Sequence, residues 1–333
     1  MYTVDSRGGL IMIMAQEKAS IIEAKPFLKW AGGKTQLINE IDKRLPRELK
    51  EGKITRYIEP FVGSGAVLFH LIQKYPIEEA FIWDINPELI TVYEVIQKDV
   101  NNLIKILEKK EKEFIPLSKE ERKEYYYCER DKFNENLMVL NFKHYGPHKI
   151  ERAAQFIFLN RTCFNGLFRV NKSGHFNVPM GDYKNPTICD EKNLIAVNQV
   201  LQKVKINEGD YRECRQYVDS NTFVYFDPPY RPLSKSSNFT SYSKFDFGEK
   251  EQIELSEYFL ELHNTGAKLM LSNSDPSNTN PDDDFFYKHY KEKNPDFVIS
   301  QVLARRNINS NGSKRGEINE LIITNYEVPL KLD

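Results

Sequence analysis

The sequence predicts an α/β fold: a mainly parallel open sheet flanked by helices and interrupted by an insert of helices and one β-hairpin. Three observations predict it. Two strand–turn–helix units follow one another in "RYIEPFVGSGAVLFHLIQKY" and "EAFIWDINPELITVYEVIQ". The same alternation returns late, with "VKINEGDY", "TFVYFDPPY", a helical stretch near residues 249–264 and "AKLMLSNSD". Between these blocks the pattern changes to charged helices and a hairpin, so the sheet is split by an insertion.

In chain order, residues 1–24 read as a tail. "FLKWAGGKT", Phe27 to Thr35, then ends like a phosphate-binding loop, which requires G-x-x-x-x-G-K-[ST] after a strand. Leu28 stands where the first glycine belongs, and "IIEAKP" before it makes a poor buried strand, so we do not expect a nucleotide triphosphate there. Residues 25–95 hold the two strand–turn–helix units. Residues 96–202 form the insert: charged helical residues up to about 148, then "KIERAAQFIFLNRT". There Ile150, Ala153, Ala154, Ile157 and Phe158 give the i, i+3, i+4, i+7, i+8 stripe of an amphipathic helix. "LFRV-NKSG-HFNV" follows as a hairpin around Asn171–Gly174. Residues 203–333 resume the sheet and close it with "DFVISQVLARR" and "ELIITNYEV".

Composition excludes several classes. The chain has 333 residues, 40% of them hydrophobic, enough for a sizeable core. No apolar run approaches the ~20 residues of a membrane span. "GLIMIMA" lacks a basic leader, so a secretory signal is not expected. Cys128, Cys163, Cys189 and Cys214 form no C-x-x-C pair, which disfavours zinc and a disulfide framework and suggests a reducing cytoplasm. The net charge of −1 argues against non-specific coating of nucleic acid. Its distribution is uneven: Arg161–Gly181, Arg231–Phe245 and Gln301–Gly316 contain no acid but carry Arg or Lys among Asn, Ser, Gly and aromatics. Any one such run reads as a solvated face; three together suggest a basic surface.

In open α/β sheets, ligands sit at the carboxyl ends of the strands. Three strand ends carry unusual residues. "EPFVGSG" brings Gly63 and Gly65, which let backbone approach a ligand closely. Asp84 closes the next strand about 20 residues on, the spacing that suits ribose hydroxyls; it equally suits the N-cap of the following helix. "DPPY", Asp227 to Tyr230, follows the apolar strand "TFVYF". Proline removes backbone donors and leaves acceptors, so the Asp227 carboxylate and Pro228 carbonyl form a rigid acceptor cluster beside a stacking ring. That arrangement suits a flat substrate bearing an amine.

From Pro26 to Glu327 the chain resembles the Dam-type DNA adenine-N6 methyltransferases, in the family's order: F-x-K-W-A-G-G-K, E-P-F-x-G-x-G, an acid after the second strand, a target-recognition insert and D-P-P-Y. The resemblance implies a Rossmann-like class I fold that uses S-adenosylmethionine. Residues 25–95 and 203–333 would be the catalytic domain and 96–202 the target-recognition domain. It makes Trp30, Lys34, Asp84 and Asp227 cofactor contacts and places Phe61, Gly63 and Gly65 beside the methionine moiety. Asp210 would face the cofactor's adenine ring. Asp227, Pro228, Pro229 and Tyr230 would hold a flipped target adenine. Phe164 and Asn165 match residues that probe the duplex, Arg169 matches a base-reading arginine, and Lys172, Pro179, Tyr183, Arg305 and Arg306 complete the implied DNA contacts. Asp182 departs from the family, which often has arginine there. The implied site is GATC or a related short palindrome in double-stranded DNA. The implied partner is a cognate restriction endonuclease, and the implied state a monomer, with no metal. Glutamine and RNA methyltransferases usually carry N-P-P-Y and cytosine-amine enzymes S-P-P-[YW], so Asp227 favours adenine.

Overall fold

The structure, a computed structural model, describes residues 2–4, 10–12, 22–30, 32–135, 144–231, 247–305 and 317–328. Within the first 24 residues, β1 (Tyr2–Val4) and β2 (Leu10–Met12) pair antiparallel with each other. The rest is built on seven strands: β3 (Arg56–Glu59), β4 (Glu79–Asp84), β5 (Val204–Glu208), β6 (Thr222–Phe226), β7 (Lys268–Ser274), β8 (Val298–Arg305) and β9 (Glu317–Thr324). Their order is β5-β4-β3-β6-β7-β9-β8. β3 to β7 are parallel, and β9 enters antiparallel between β7 and β8.

Alternation along the strands buries both faces. Tyr57, Ala80, Ile82, Phe223, Tyr225 and Met270 belong to one core, and Ile58, Phe81, Trp83, Val224, Phe226 and Leu269 to the other. Every residue of β6 is buried, as expected of a central parallel strand. The first core packs beneath α3 (Ala66–Lys74) and α7 (Glu191–Leu201), and the second beneath α8 (Glu249–His263).

The long connection from β4 to β5 carries α4 (Pro87–Phe114), α5 (Lys119–Glu135), α6 (Pro147–Thr162), a hairpin and α7. α4 is kinked at Asp99, whose φ of −142° is not helical. α6 packs against both α4 and α5. The amphipathic reading of this helix needs correction: α6 is buried nearly all round, including Lys149, Arg152, Gln155 and Asn160. Polar side chains can sit inside because they are partnered. Lys149 pairs with Glu94 at 2.5 Å, and Arg152 pairs with Glu88 at the start of α4. The hairpin forms where expected, with Val170 bridged to Phe176 and Asn177 N donating to Arg169 O at 3.1 Å. Its turn is closed by Asn171, whose side chain accepts from Ser173 and His175 backbone.

Candidate active site

Strand order reverses at β3, from which the chain goes to β4 and β5 on one side and later returns to β6 on the other. The crevice above such a switch point is where open α/β sheets bind ligands, and the strand-end residues gather there.

At the end of β6, Asp227 lies in an ion pair with buried Lys34, Nζ to Oδ1 2.6 Å. Lys34 opens a short 3-10 turn, Lys34–Gln36, after Gly33 N has closed a turn on Trp30 O. Its ammonium also donates to Gly32 O at 3.0 Å and to the Tyr230 hydroxyl at 2.9 Å. The glycine-lysine motif near the N-terminus and "DPPY" thus meet across almost 200 residues. Tyr230 in turn donates to Glu320 on β9, at 2.6 Å. Behind Asp227, Ser272 on β7 donates to Oδ1 at 3.2 Å, and Tyr225 lies 2.8 Å from Ser272. Pro229 O accepts from Gln252 of α8 at 2.7 Å, which fixes the proline turn to the helix below. Burial pushes the Asp227 carboxyl above its ordinary range, Lys34 opposes that, and the Glu320 charge adds to it.

At the end of β4, Asp84 accepts from Gly63 N at 3.2 Å and from Asn86 N at 2.9 Å. The helix cap is Asn86, not Asp84: its side chain accepts from Glu88 N and Leu89 N, with Pro87 as the first helical residue. Asp84 is therefore spared for another partner, and no lysine or arginine pairs with it among the described residues. Burial raises its carboxyl to about 6. Gly63 has φ 47°, and a Cβ there would meet Trp30 Cδ1 at 3.0 Å. Gly65, at φ 72°, would put a Cβ 2.6 Å from the Tyr93 hydroxyl, which itself holds Gly63 O. Both glycines are required by close approach. Glu59, ending β3, is buried and accepts from Tyr57 at 2.7 Å; burial raises its carboxyl well above the ordinary range.

The remaining residues expected at the cofactor have these neighbours. Phe61 stacks on Tyr211 at 5.2 Å and meets Phe247 edge-on. Asp210 caps the turn Tyr211–Tyr217, and both its oxygens are engaged by Arg212. Trp30 stacks on Phe168 of the hairpin at 5.8 Å, which joins the N-terminal motif to the insert.

On the insert, Phe164 is 53% exposed, and Asn165 has φ 56°, the only positive φ outside glycine among the described residues. Arg169 and Lys172 are exposed on the hairpin, and Arg169 Nε donates to Asn177 Oδ1 at 2.8 Å. The exposed Pro179 accepts from Phe164 N at 2.9 Å. Lys29 lies over the Tyr183 ring at 4.5 Å. Asp182 is exposed and pairs with Lys119 at 3.0 Å. Arg305 ends β8, and Arg306 lies outside the described residues. Sequence reasoning missed Glu320 and Ser272. Both lie among other polar residues of their strands, in "KLMLSNS" and "EINELIIT", so no local signal set either apart.

The fold and this crevice define a class I methyltransferase. The chain belongs to the D12 class N6 adenine-specific DNA methyltransferases, whose family model matches residues 30–308. It is 52% identical to the type II methyltransferase M.MjaIII of Methanocaldococcus jannaschii, over 92% of this chain and 100% of that one. It is 36% identical to the type II methyltransferase M1.LlaDCHI of Lactococcus lactis subsp. cremoris, over 92% and 96%. With the DNA adenine methylase of Escherichia coli K12 the identity is 32%, over 90% and 94%. The protein is an adenine-specific DNA methyltransferase acting on DNA. No helix among the described residues is long and apolar enough to cross a membrane.

Proposed function

We propose that this protein methylates the N6 amine of adenine within GATC or a closely related short palindrome of double-stranded DNA, using S-adenosylmethionine and flipping the target base. The observation that carries the reading is the meeting of Lys34, Asp227 and Tyr230 at the switch point of the sheet. The family implies the cofactor, and the residues fit it. Gly63 presents bare backbone against Trp30, and Asp84 is an acceptor without a cation partner, suited to a ribose diol. Lys34 supplies a positive charge for a carboxylate. The bound cofactor supplies a methyl group on a sulfonium, already a good leaving group.

The chain's own residues do the rest. The amine of adenine is a weak nucleophile because its lone pair is delocalised into the ring. Asp227 and the Pro228 carbonyl accept its two hydrogens, which favours the pyramidal form and stabilises the positive charge that develops on nitrogen. Asp227 is engaged by Lys34 here, so an incoming amine takes over an acceptor already held in place. Extruding the base costs a few kcal/mol. Stacking on Tyr230 returns about 1–3 kcal/mol of it.

In this reading residues 25–95 and 203–333 form the catalytic domain and 96–202 the target-recognition domain. Arg169, exposed on the hairpin, contacts a guanine edge, and Phe164, Asn165, Lys172, Pro179, Tyr183, Arg305 and Arg306 lie along the duplex. The type II names of two relatives support a role as the modification partner of a restriction nuclease. Purified protein, radiolabelled cofactor and duplexes with and without GATC test the proposal. Label confined to adenine of the GATC duplex supports it; equal label in a duplex lacking GATC overturns the site assignment.

A further inference from the structure

We propose that Glu320 is a positioning residue for methyl transfer, fixing the Tyr230 ring against the target base through the tyrosine hydroxyl. The proposal rests on the reading of Tyr230 as the stacking ring. β9 is the strand that runs against its neighbours, so its early residues lie at the carboxyl edge of β7 rather than at the far end of the sheet. Glu320 stands in register with Ser274, the last residue of β7, and with Val302 of β8. A parallel strand in that slot would have delivered its residue 320 to the other edge. The antiparallel entry thus brings a carboxylate to the rim where the proline turn projects.

The contacts on the hydroxyl are specific. It donates to Glu320 Oε2 at 2.6 Å and accepts from Lys34 Nζ at 2.9 Å. Both are charge-assisted bonds, stronger and shorter than neutral ones. They hold the phenol oxygen from opposite partners and leave the ring little freedom about its two side-chain torsions. Stacking alone needs only a π face, which phenylalanine would supply. The hydroxyl and its carboxylate therefore do something beyond stacking: they set the ring plane, and with it the line from the amine to the methyl donor. A misplacement of about 1 Å can cost about 100-fold in rate. The carboxylate also adds negative charge near Asp227, where positive charge develops during transfer. The competing view is that Glu320 merely holds β9 against β7, in which case its loss would act independently of the tyrosine hydroxyl.

A double-mutant cycle on the full chain separates the two, with Glu320→Ala, Tyr230→Phe and the pair. Labelled methyl transfer is measured on a duplex, and 2-aminopurine at the target position reports the unstacked base. We expect each single change to lower kcat about 10- to 100-fold with the cofactor KM unchanged. The pair should be no worse than the poorer single variant, and emission from 2-aminopurine should change alike in all three. Glu320→Gln, which keeps an acceptor oxygen, should recover part of the rate. Additive losses, or a normal kcat in Glu320→Ala, would overturn the role given to Glu320. Full turnover in Tyr230→Ala would instead overturn the stacking reading beneath it.

Discussion

An ionised carboxylate offers only acceptors and accepts more strongly than its protonated form, so burial has a cost in function as well as in stability. Asp84 shows it. Backbone donors from Gly63 and Asn86 hold its two oxygens, yet burial lifts its carboxyl to about 6. The sign follows: above this value Asp84 is charged and, in the proposed role, would accept from the ribose hydroxyls, and below it the proton competes. Cofactor affinity should therefore fall by up to about tenfold per unit as pH drops below about 6, where an ordinary aspartate would lose nothing until about 4. Titration calorimetry from pH 5 to 8 measures this, and Asp84→Asn should flatten the profile while weakening binding. A wild-type profile flat to pH 5 would contradict it. Asp84→Ala should weaken cofactor binding by about 1.5–3 kcal/mol, the value of a hydrogen bond to a charged group. At this scale the sequence was informative wherever a residue closes a strand. Asp84 and Asp227 announce themselves because an acid directly after an apolar strand is unusual. Glu320 did not, because it lies inside a strand and its partner is 90 residues away.

At the scale of elements, we propose that the hairpin and α6 carry the reading of DNA to the catalytic crevice. Arg169 Nε is tethered to Asn177 across the hairpin, which leaves the end of the guanidinium for a partner in the major groove. Arg169→Ala should cost about 1–3 kcal/mol and relax discrimination at one guanine, read by competition among duplex variants. Lys172, exposed in the turn, should behave as a phosphate contact: its loss should weaken all sequences alike and reduce the salt dependence. Near the end of α6, the buried Asn160 amide binds Lys29 N and O and also Gly166 O, so it ties the N-terminal motif to the hairpin loop. Asn160→Ala strands buried backbone groups and should destabilise the protein by about 2–4 kcal/mol in urea unfolding. The hairpin was legible because its turn residues and flanking strands follow local rules. The surroundings of α6 were not, since periodicity shows which face is apolar but not that the polar face will find buried partners from distant helices.

For the whole molecule, the arrangement is a sheet and a long insert between β4 and β5, joined by buried polar contacts; in our proposal the sheet carries the chemistry and the insert reads DNA. Arg152 of α6 binds Glu88 in the first turn of α4, directly after the Asp84 strand end. Removing one partner leaves a buried charge, and Arg152→Ala should cost about 3–5 kcal/mol. The α/β sheet and the insertion that splits it were readable from the alternation of patterns. The antiparallel entry of β9 between β7 and β8 was not, because pairing order between late strands is set by packing that no local signal records. The same is true of Asp182, an acid on a surface expected to meet phosphate, whose charge is met by Lys119 at the start of α5. In our proposal the Asp227 turn performs methyl transfer to adenine. The most direct test is to map methylated bases by single-molecule sequencing in a methylation-free host expressing either the native protein or Asp227→Ala. We predict N6-methyladenine in GATC or a related palindrome with the native protein, and none with the variant despite a folded chain in its extracts. Persistent adenine methylation by folded Asp227→Ala would contradict the account.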